Sequence, residues 1–262
     1  MVSKSRKHIH IVGCSPRSGT TLLQEMMVPC FRIDHYCEHE RSLFKEAPYP
    51  EGIACTKQPR EVMYAELAMR VDPDLYFIYM QRDPRDVCVS SHGNRPGAYY
   101  TDLGLYLRAS QYANAIDGHP RFIRIRYEDL VRHPDAVQQA LMQRLPFLEY
   151  RHPFSEYYQH ARVSDQSLKA MHNLRPPDTR SIGKWKNHLE RVAEQVAAFP
   201  AVLDEIRRHG YEPDDRWLEQ LPTLSSSAPT SGKAPDFSSL KDLRLRWRTV
   251  RKVFHYWRKL RK

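Results

Sequence analysis

The stretch from His8 to Met27, HIHIVGCSPRSGTTLLQEMM, decides the fold. It begins as an apolar run from His8 to Cys14, passes through a Ser/Gly/Thr turn, and continues with the spacing of a helix. Strand, glycine turn and helix in that order make a cradle for an anion. The first backbone N–H groups of a helix have no carbonyl partner and lie at the positive end of its dipole. Ser18, Gly19, Thr20 and Thr21 open this helix; the glycine allows close approach of the backbone and the hydroxyls add donors. A Walker A loop, G-x-x-x-x-G-K-[ST], carries its lysine directly after the last glycine. Here Thr20 and Thr21 follow Gly19, and the basic residue is Arg17, two places before it. The loop is built for an anion but lacks the lysine that P-loop kinases and nucleotide hydrolases lay on a transferred phosphate.

Working outward, strand-like runs recur at HIHIVGC (8–14), GIACTK (52–57), LYFIYMQR (75–82) and RFIRIRY (121–127). Helical patterns separate them at 19–28, about 59–70, about 85–92, 102–117 and 134–145. The alternation predicts a three-layer α/β fold around a central parallel sheet. In such sheets ligands bind beyond the carboxyl ends of the strands, so the chemistry is expected just after Cys14, Lys57, Arg82 and Tyr127. Residues 150–190 read as irregular, and a helical region at 187–209 stops at Gly210. The Ser/Pro-rich stretch 223–239, TLSSSAPTSGKAPDFSS, reads as a linker that does not fold. This divides the chain into a domain at 1–222, a linker at 223–239 and a basic helix at 240–262.

Two motifs carry a resemblance. PRSGTT (Pro16–Thr21) resembles the 5′-phosphosulfate loop of sulfotransferases that use 3′-phosphoadenosine 5′-phosphosulfate (PAPS), in the arginine form of the tyrosylprotein and carbohydrate branches. YMQRDPRDVCVSSH is similar to that family's 3′-phosphate segment, in which a serine stands eight residues after the first arginine; Arg82 and Ser90 have that spacing. A guanidinium at a strand end gives bidentate phosphate contact, and a hydroxyl one helix turn on completes it. Three further stretches fit. CTKQP (55–59) resembles the K-x-P element and singles out Lys57. IRYEDLVRHP (125–134) resembles the Y-E-D-L segment and singles out Tyr127. SIGKWKNHL (181–189) is similar to the G-x-W-K-N-H loop that closes over the adenosine, with Gly183, Lys184 and Trp185; of the basic run that precedes it in the family only Arg180 remains.

The resemblance covers roughly residues 8–215. It implies a P-loop sulfotransferase fold, PAPS as co-substrate, no metal, and in-line attack of an acceptor hydroxyl on sulfur. The acceptor would be a glycan, a glycolipid or a small metabolite. A base must take the hydroxyl proton. The tyrosylprotein branch has a glutamate 21 residues after the loop arginine, which is Glu38 here, with His39 and Glu40 beside it in DHYCEHE (34–40). Arg17 and Lys57 would stabilise the charge that develops. Two rival readings stand: a P-loop nucleotide kinase or hydrolase, and a non-catalytic protein of the same fold that binds membranes or partners.

Composition bounds the rest. Of the formal net charge of +10, residues 240–262 hold +9, with ten Lys/Arg against Asp242, so the body is nearly neutral. Leu240, Leu243, Trp247, Val250, Phe254 and Trp257 recur at spacings of 3 and 4 along that tail. One apolar stripe on a basic helix suits an anionic membrane surface or a partner helix, a homodimer among them, better than nucleic acid. No apolar run of 18 residues occurs, and the first strand starts within about eight residues, which leaves no signal peptide to expect. Five cysteines without a C-x-x-C and thirteen histidines without metal-ligand spacing read as reduced thiols and no metal. The expectation is a cytoplasmic protein, peripheral at the inner membrane through its tail.

Overall fold

A computed structural model describes residues 6–45, 48–91, 97–171, 173–223 and 239–261. Strand β1 (Lys7–Gly13) leads through the glycine turn into α1 (Thr20–Cys30). A two-residue strand, β2 (His35–Tyr36), and β3 (Ile53–Lys57) follow, then a 3-10 turn over Pro59–Tyr64 that runs into α2 (Ala65–Val71). Next come β4 (Leu75–Gln81), α3 (Pro84–Cys88), α4 (Leu103–Ala115), β5 (Phe122–Arg126), α5 (Tyr127–Arg132) and α6 (Pro134–Arg144). Further helices follow: α7 (Tyr157–His160), α8 (Asp165–Met171), α9 (Leu189–Ala198), α10 (Val202–Arg208) and α11 (Ser239–Leu260).

The five strands are parallel, in the order β2-β3-β1-β4-β5. Strand β1 sits centrally, and the chain leaves it toward β3 on one side and β4 on the other, which opens a crevice at its carboxyl end. Side chains alternate across the sheet as its pleat requires. Ile9 and Ile11, Ile78 and Met80, and Ile123 and Ile125 face one core with Leu23, Met26 and Leu130 from the helices. Val12, Phe77, Tyr79 and Phe122 face a second core with Ala68, Tyr106, Val192 and Ile206. Two buried faces are what a parallel sheet needs, and three layers result.

The four predicted strands are present within a residue or two; β2 is too short to leave a period in the sequence. The helical region at 187–209 divides at Pro200, whose ring nitrogen cannot donate to a continuing helix. Gly210 ends α10 at φ 63°, and the next N–H, of Tyr211, bonds back to the Ile206 carbonyl at 3.0 Å. Residues 150–190 hold two short helices, α7 and α8, rather than irregular chain alone. Of the expected linker, residues 224–238 lie outside the described residues.

Helix α11 rests on α2 and the 3-10 turn. Among its residues 247–261, Thr249, Val253 and Tyr256 are buried. The Tyr256 hydroxyl donates to Asp72 at 2.5 Å, and Arg6 grips the same carboxylate with two bonds of 2.9 and 2.7 Å. The docking face is therefore not the predicted stripe: Trp247, Val250 and Phe254 stay exposed.

Candidate functional site

The glycine turn takes its shape from two close approaches. Gly19 has φ 96°, and a Cβ there would stand 2.5 Å from the Tyr127 ring. A Cβ on Gly13 would stand 2.0 Å from the Ser18 hydroxyl. Between them Arg17 holds φ 75°, which costs a residue with a Cβ about 1 kcal/mol. That strain leaves the backbone of 17–20 curled at the start of α1. The Ser18 hydroxyl is buried inside the curl with no hydrogen-bond partner.

The two motifs lock onto each other. Arg82, at the end of β4, donates to the Arg17 carbonyl at 2.8 Å and to the Ser181 carbonyl at 2.6 Å, with its guanidinium 4.3 Å over the Tyr127 ring. Arg17 in turn donates from Nε to the Ser90 hydroxyl and from Nη1 to the Ala170 carbonyl, each at 3.2 Å. Burial lowers the Arg17 pKa, and the charge of Arg82 lowers it further. Two guanidinium groups held this close favour an anion, even with the Asp86 carboxylate near Arg82 on the same wall. The Nε of Arg82 is buried and unpartnered, a further donor to spare.

These groups line a cavity of about 640 Å³, the size of a nucleotide-binding cleft. Arg17, Gly19, Thr20, Thr21, Arg82, Ser90, Tyr127 and Lys184 are all on its wall, contributed by the carboxyl ends of β1, β4 and β5 and by the segment 181–188. The other expected contacts divide. Arg180 is exposed, paired with Asp178 at 2.7 Å, and off the wall. The Trp185 side chain is buried against Trp217 rather than turned to the cavity. Gly183 and Trp185 matter through their backbone: both N–H groups donate to Asp86, at 2.8 and 3.0 Å. The last residue of R-D-P-R-D thus ties down the segment that carries Lys184.

Residues 29–150 match the family model described as Sulfotransferase family. The sulfotransferase domain from the Synechococcus PCC 7002 olefin synthase aligns at TM-score 0.55 and 18% identity, over 71% of this chain and 90% of that one. The chain has the sulfotransferase fold. A mouse sulfotransferase complexed with PAP aligns at TM-score 0.50 and 16% identity, over 82% of this chain and 89% of that one. No curated protein sequence matches the chain. The matched span contains Lys57, Arg82, Ser90 and Tyr127; the turn 16–21 precedes it.

Ser18 is off the cavity wall, and so is Lys57, the last residue of β3. It is fully buried, and its ammonium has no hydrogen-bond partner. Burial lowers its pKa, against the pull of Glu40, Cys37 and Glu25. Glu25, on α1, is a buried carboxyl pushed up by desolvation, with the Ser167 hydroxyl donating to it at 2.7 Å. Nothing in the sequence marked Glu25, because at a helical position it reads as solvated surface. Lys169 and Arg175 also line the cavity and escaped notice, since they come from α8 and the loop after it.

The three candidate bases are placed differently. Glu38 is exposed and off the cavity wall, and its carbonyl accepts from the Ser164 hydroxyl at 3.0 Å. His39 and Glu40 do line the cavity. The chain bends at 38–39; both glutamates are exposed, and of the two only Glu40 is on the wall. Burial and the charge of Lys57 lower the His39 pKa. Arg85, by contrast, belongs to the core: it pairs with Asp83 and Glu212 and lies between the rings of Trp185 and Trp217 at 4.1 and 4.6 Å.

Proposed function

We propose that this protein transfers a sulfuryl group from PAPS to the hydroxyl of an acceptor, a glycan, glycolipid or small metabolite. The observation that carries the reading is the clasp of Arg17, Arg82 and Ser90 over a turn whose buried donors have no protein partner. Ser18 Oγ, Lys57 Nζ and Arg82 Nε are buried donors without a protein partner, and Arg82 is on the cavity wall, which fits a polyanion. Bound PAPS supplies a sulfur whose leaving group is a phosphate oxygen. The backbone of 18–21 and the hydroxyls of Thr20 and Thr21 would hold the 5′ end, and Arg82 with Ser90 the 3′-phosphate. Lys184, on the segment fixed by Asp86, would close over the nucleotide. Arg17 and Lys57 would face the oxygen that gains charge; held in place beforehand, they need no reorganisation as that charge develops. We assign the base to Glu40 rather than Glu38, because Glu40 is on the cavity wall and beside Lys57.

Calorimetry with the desulfated product, 3′-phosphoadenosine 5′-phosphate, tests the nucleotide. It should bind far more tightly than ADP, which lacks the 3′-phosphate, and than ATP with Mg²⁺. Arg82→Ala and Ser90→Ala should remove most of that preference. Equal affinity for ADP would overturn the assignment.

A further inference from the structure

Helix α11 carries three faces, and the structure accounts for only one. At 3.6 residues per turn, Thr249, Val253 and Tyr256 fall within an arc of about 60°, the face buried on the body. About a third of a turn round, Trp247, Val250, Phe254, Trp257 and Arg261 share an arc of about 80°. Trp247 is 71% exposed, and Val250 and Phe254 are 52% exposed each. A third arc carries Arg248, Arg251 and Arg258, all exposed. Phe254 stacks on Trp257 at 5.6 Å, and the Arg261 guanidinium lies 3.9 Å over the Trp257 ring, so the apolar face is assembled rather than scattered.

We propose that this exposed face of α11 docks on an anionic lipid surface. Three observations select lipid over other occupants. The segment 240–262 carries net +9 while the rest of the chain is nearly neutral, so charge complementarity calls for an anionic partner. Two copies meeting through this face would bring two such helices together, and like charges oppose that contact. A nucleic acid would engage the arginines and leave the two tryptophans and the phenylalanine in water, whereas a bilayer interface takes aromatic rings and flanking arginines together. No helix among the described residues is long and apolar enough to cross a membrane, so attachment would be in the interface plane.

The body fixes how α11 presents itself. Tyr256 bonds Asp72, Lys252 bonds the Tyr64 hydroxyl at 3.1 Å, and Lys259 bonds the Phe44 carbonyl at 2.9 Å. A helix held at three points needs no ordering on arrival, which removes one cost of binding. Phe44 follows Glu40 by four residues, and Pro59, which begins the turn beneath α11, lines the cavity. The lipid-facing helix is thus a neighbour of the cavity wall that carries Glu40.

Co-sedimentation of the full chain with vesicles of phosphatidylcholine containing one third phosphatidylglycerol tests the inference. Binding should be strong at about 0.02 M salt and weak at about 0.5 M, where screening shortens the reach of the arginines. Vesicles of phosphatidylcholine alone should bind little. The double variant W247S/F254S removes two exposed rings and should lower partitioning by about 10²-fold while leaving the thermal midpoint and nucleotide affinity unchanged. Charge reversal by R248E/R251E/R258E should abolish the preference for the anionic vesicles. Undiminished partitioning of W247S/F254S, or equal binding of the wild type to both vesicle types, would sink the proposal. A wild-type dimer that the same two substitutions convert to a monomer, with vesicle binding unchanged, would sink it too and make the face a self-association seam.

Discussion

At the amino ends of β1 and β4, Arg6 holds Asp72 with two bonds and Tyr256 closes the group from α11. At the carboxyl ends of the same strands Arg17 and Arg82 stand close together, and Ser18 Oγ, Arg82 Nε and, at the end of β3, Lys57 Nζ have no hydrogen-bond partner. Both ends bury charge. One end pairs it internally, and that joins the first strand, α2 and the C-terminal helix into one body. The other end leaves it open, which lowers stability and prepares the cavity for an anion. Breaking a buried pair is costly because it strands the remaining partner, whereas removing an unpartnered buried charge relieves the fold. The same class of residue should therefore answer mutation in opposite directions at the two ends.

The largest contrast is expected in turnover. Glu40→Gln should lower the rate by about 10²–10³-fold with nucleotide affinity near wild type, the scale of a lost general base. Glu38→Gln should leave the rate unchanged, and a single-turnover assay with labelled PAPS and an accepted hydroxyl compares the two. Full activity in Glu40→Gln together with loss in Glu38→Gln would reverse the assignment.

At the paired end, Asp72→Ala should cost about 3 kcal/mol of unfolding free energy in urea titrations, with nucleotide affinity unchanged. Burial alone would raise the Asp72 pKa, but the hydrogen bonds from Arg6 and Tyr256 outweigh it and hold the carboxyl below its usual range. A depressed native pKa means that the unfolded chain binds the proton more readily. The contribution is therefore full above the ordinary Asp value of about 3.9 and fades as the pH falls below it. Thermal midpoints of wild type and Asp72→Asn, measured against pH, should converge in acid and nowhere else. The same reasoning makes truncation before α11 destabilising, since it uncovers Asp72.

A smaller effect belongs to the tie between the two motifs. Asp86→Asn has one carbonyl oxygen for the two N–H groups of Gly183 and Trp185, and its amide faces the other. The segment 181–188 should loosen, and affinity for the product nucleotide should fall about tenfold, near the loss of a single charged hydrogen bond. An unchanged dissociation constant would reduce Asp86 to a packing residue.

The smallest shift runs the other way. Lys57→Met should raise unfolding free energy by about 1 kcal/mol while removing turnover, because a buried ammonium without a partner is replaced by a side chain of similar shape. The Lys57 pKa lies below the usual lysine value, so the wild type should gain stability as the pH rises through that native value toward about 10.4. That alkaline gain should be absent in Lys57→Met. Asp72 and Lys57 thus make stability rise with pH at opposite ends of the scale.

Much of this molecule is written locally. The alternation of apolar runs with helical spacing set the parallel sheet, since strand and helix periods follow from backbone geometry that any neighbouring residues obey. PRSGTT and RDPRD were legible because each sits within one turn of a strand end, where sequence distance and spatial distance nearly coincide. Arg17, Arg82, Ser90 and Tyr127 meet in the cavity for that reason. What the chain order could not decide were contacts that depend on how separate segments come to rest. Glu40 reaches the cavity wall and Glu38 does not, although both are exposed and only His39 separates them. Asp86 acquires its partners from a loop 97 and 99 residues away, and Glu25 gains Ser167 from α8. The tail shows the division most plainly: its periodicity announced a basic amphipathic helix, but which face the body covers was settled by Asp72 and Arg6, which the sequence places more than 180 residues upstream. Periodicity is a property of one segment, whereas burial is a property of two, and only the folded chain brings the second one into place.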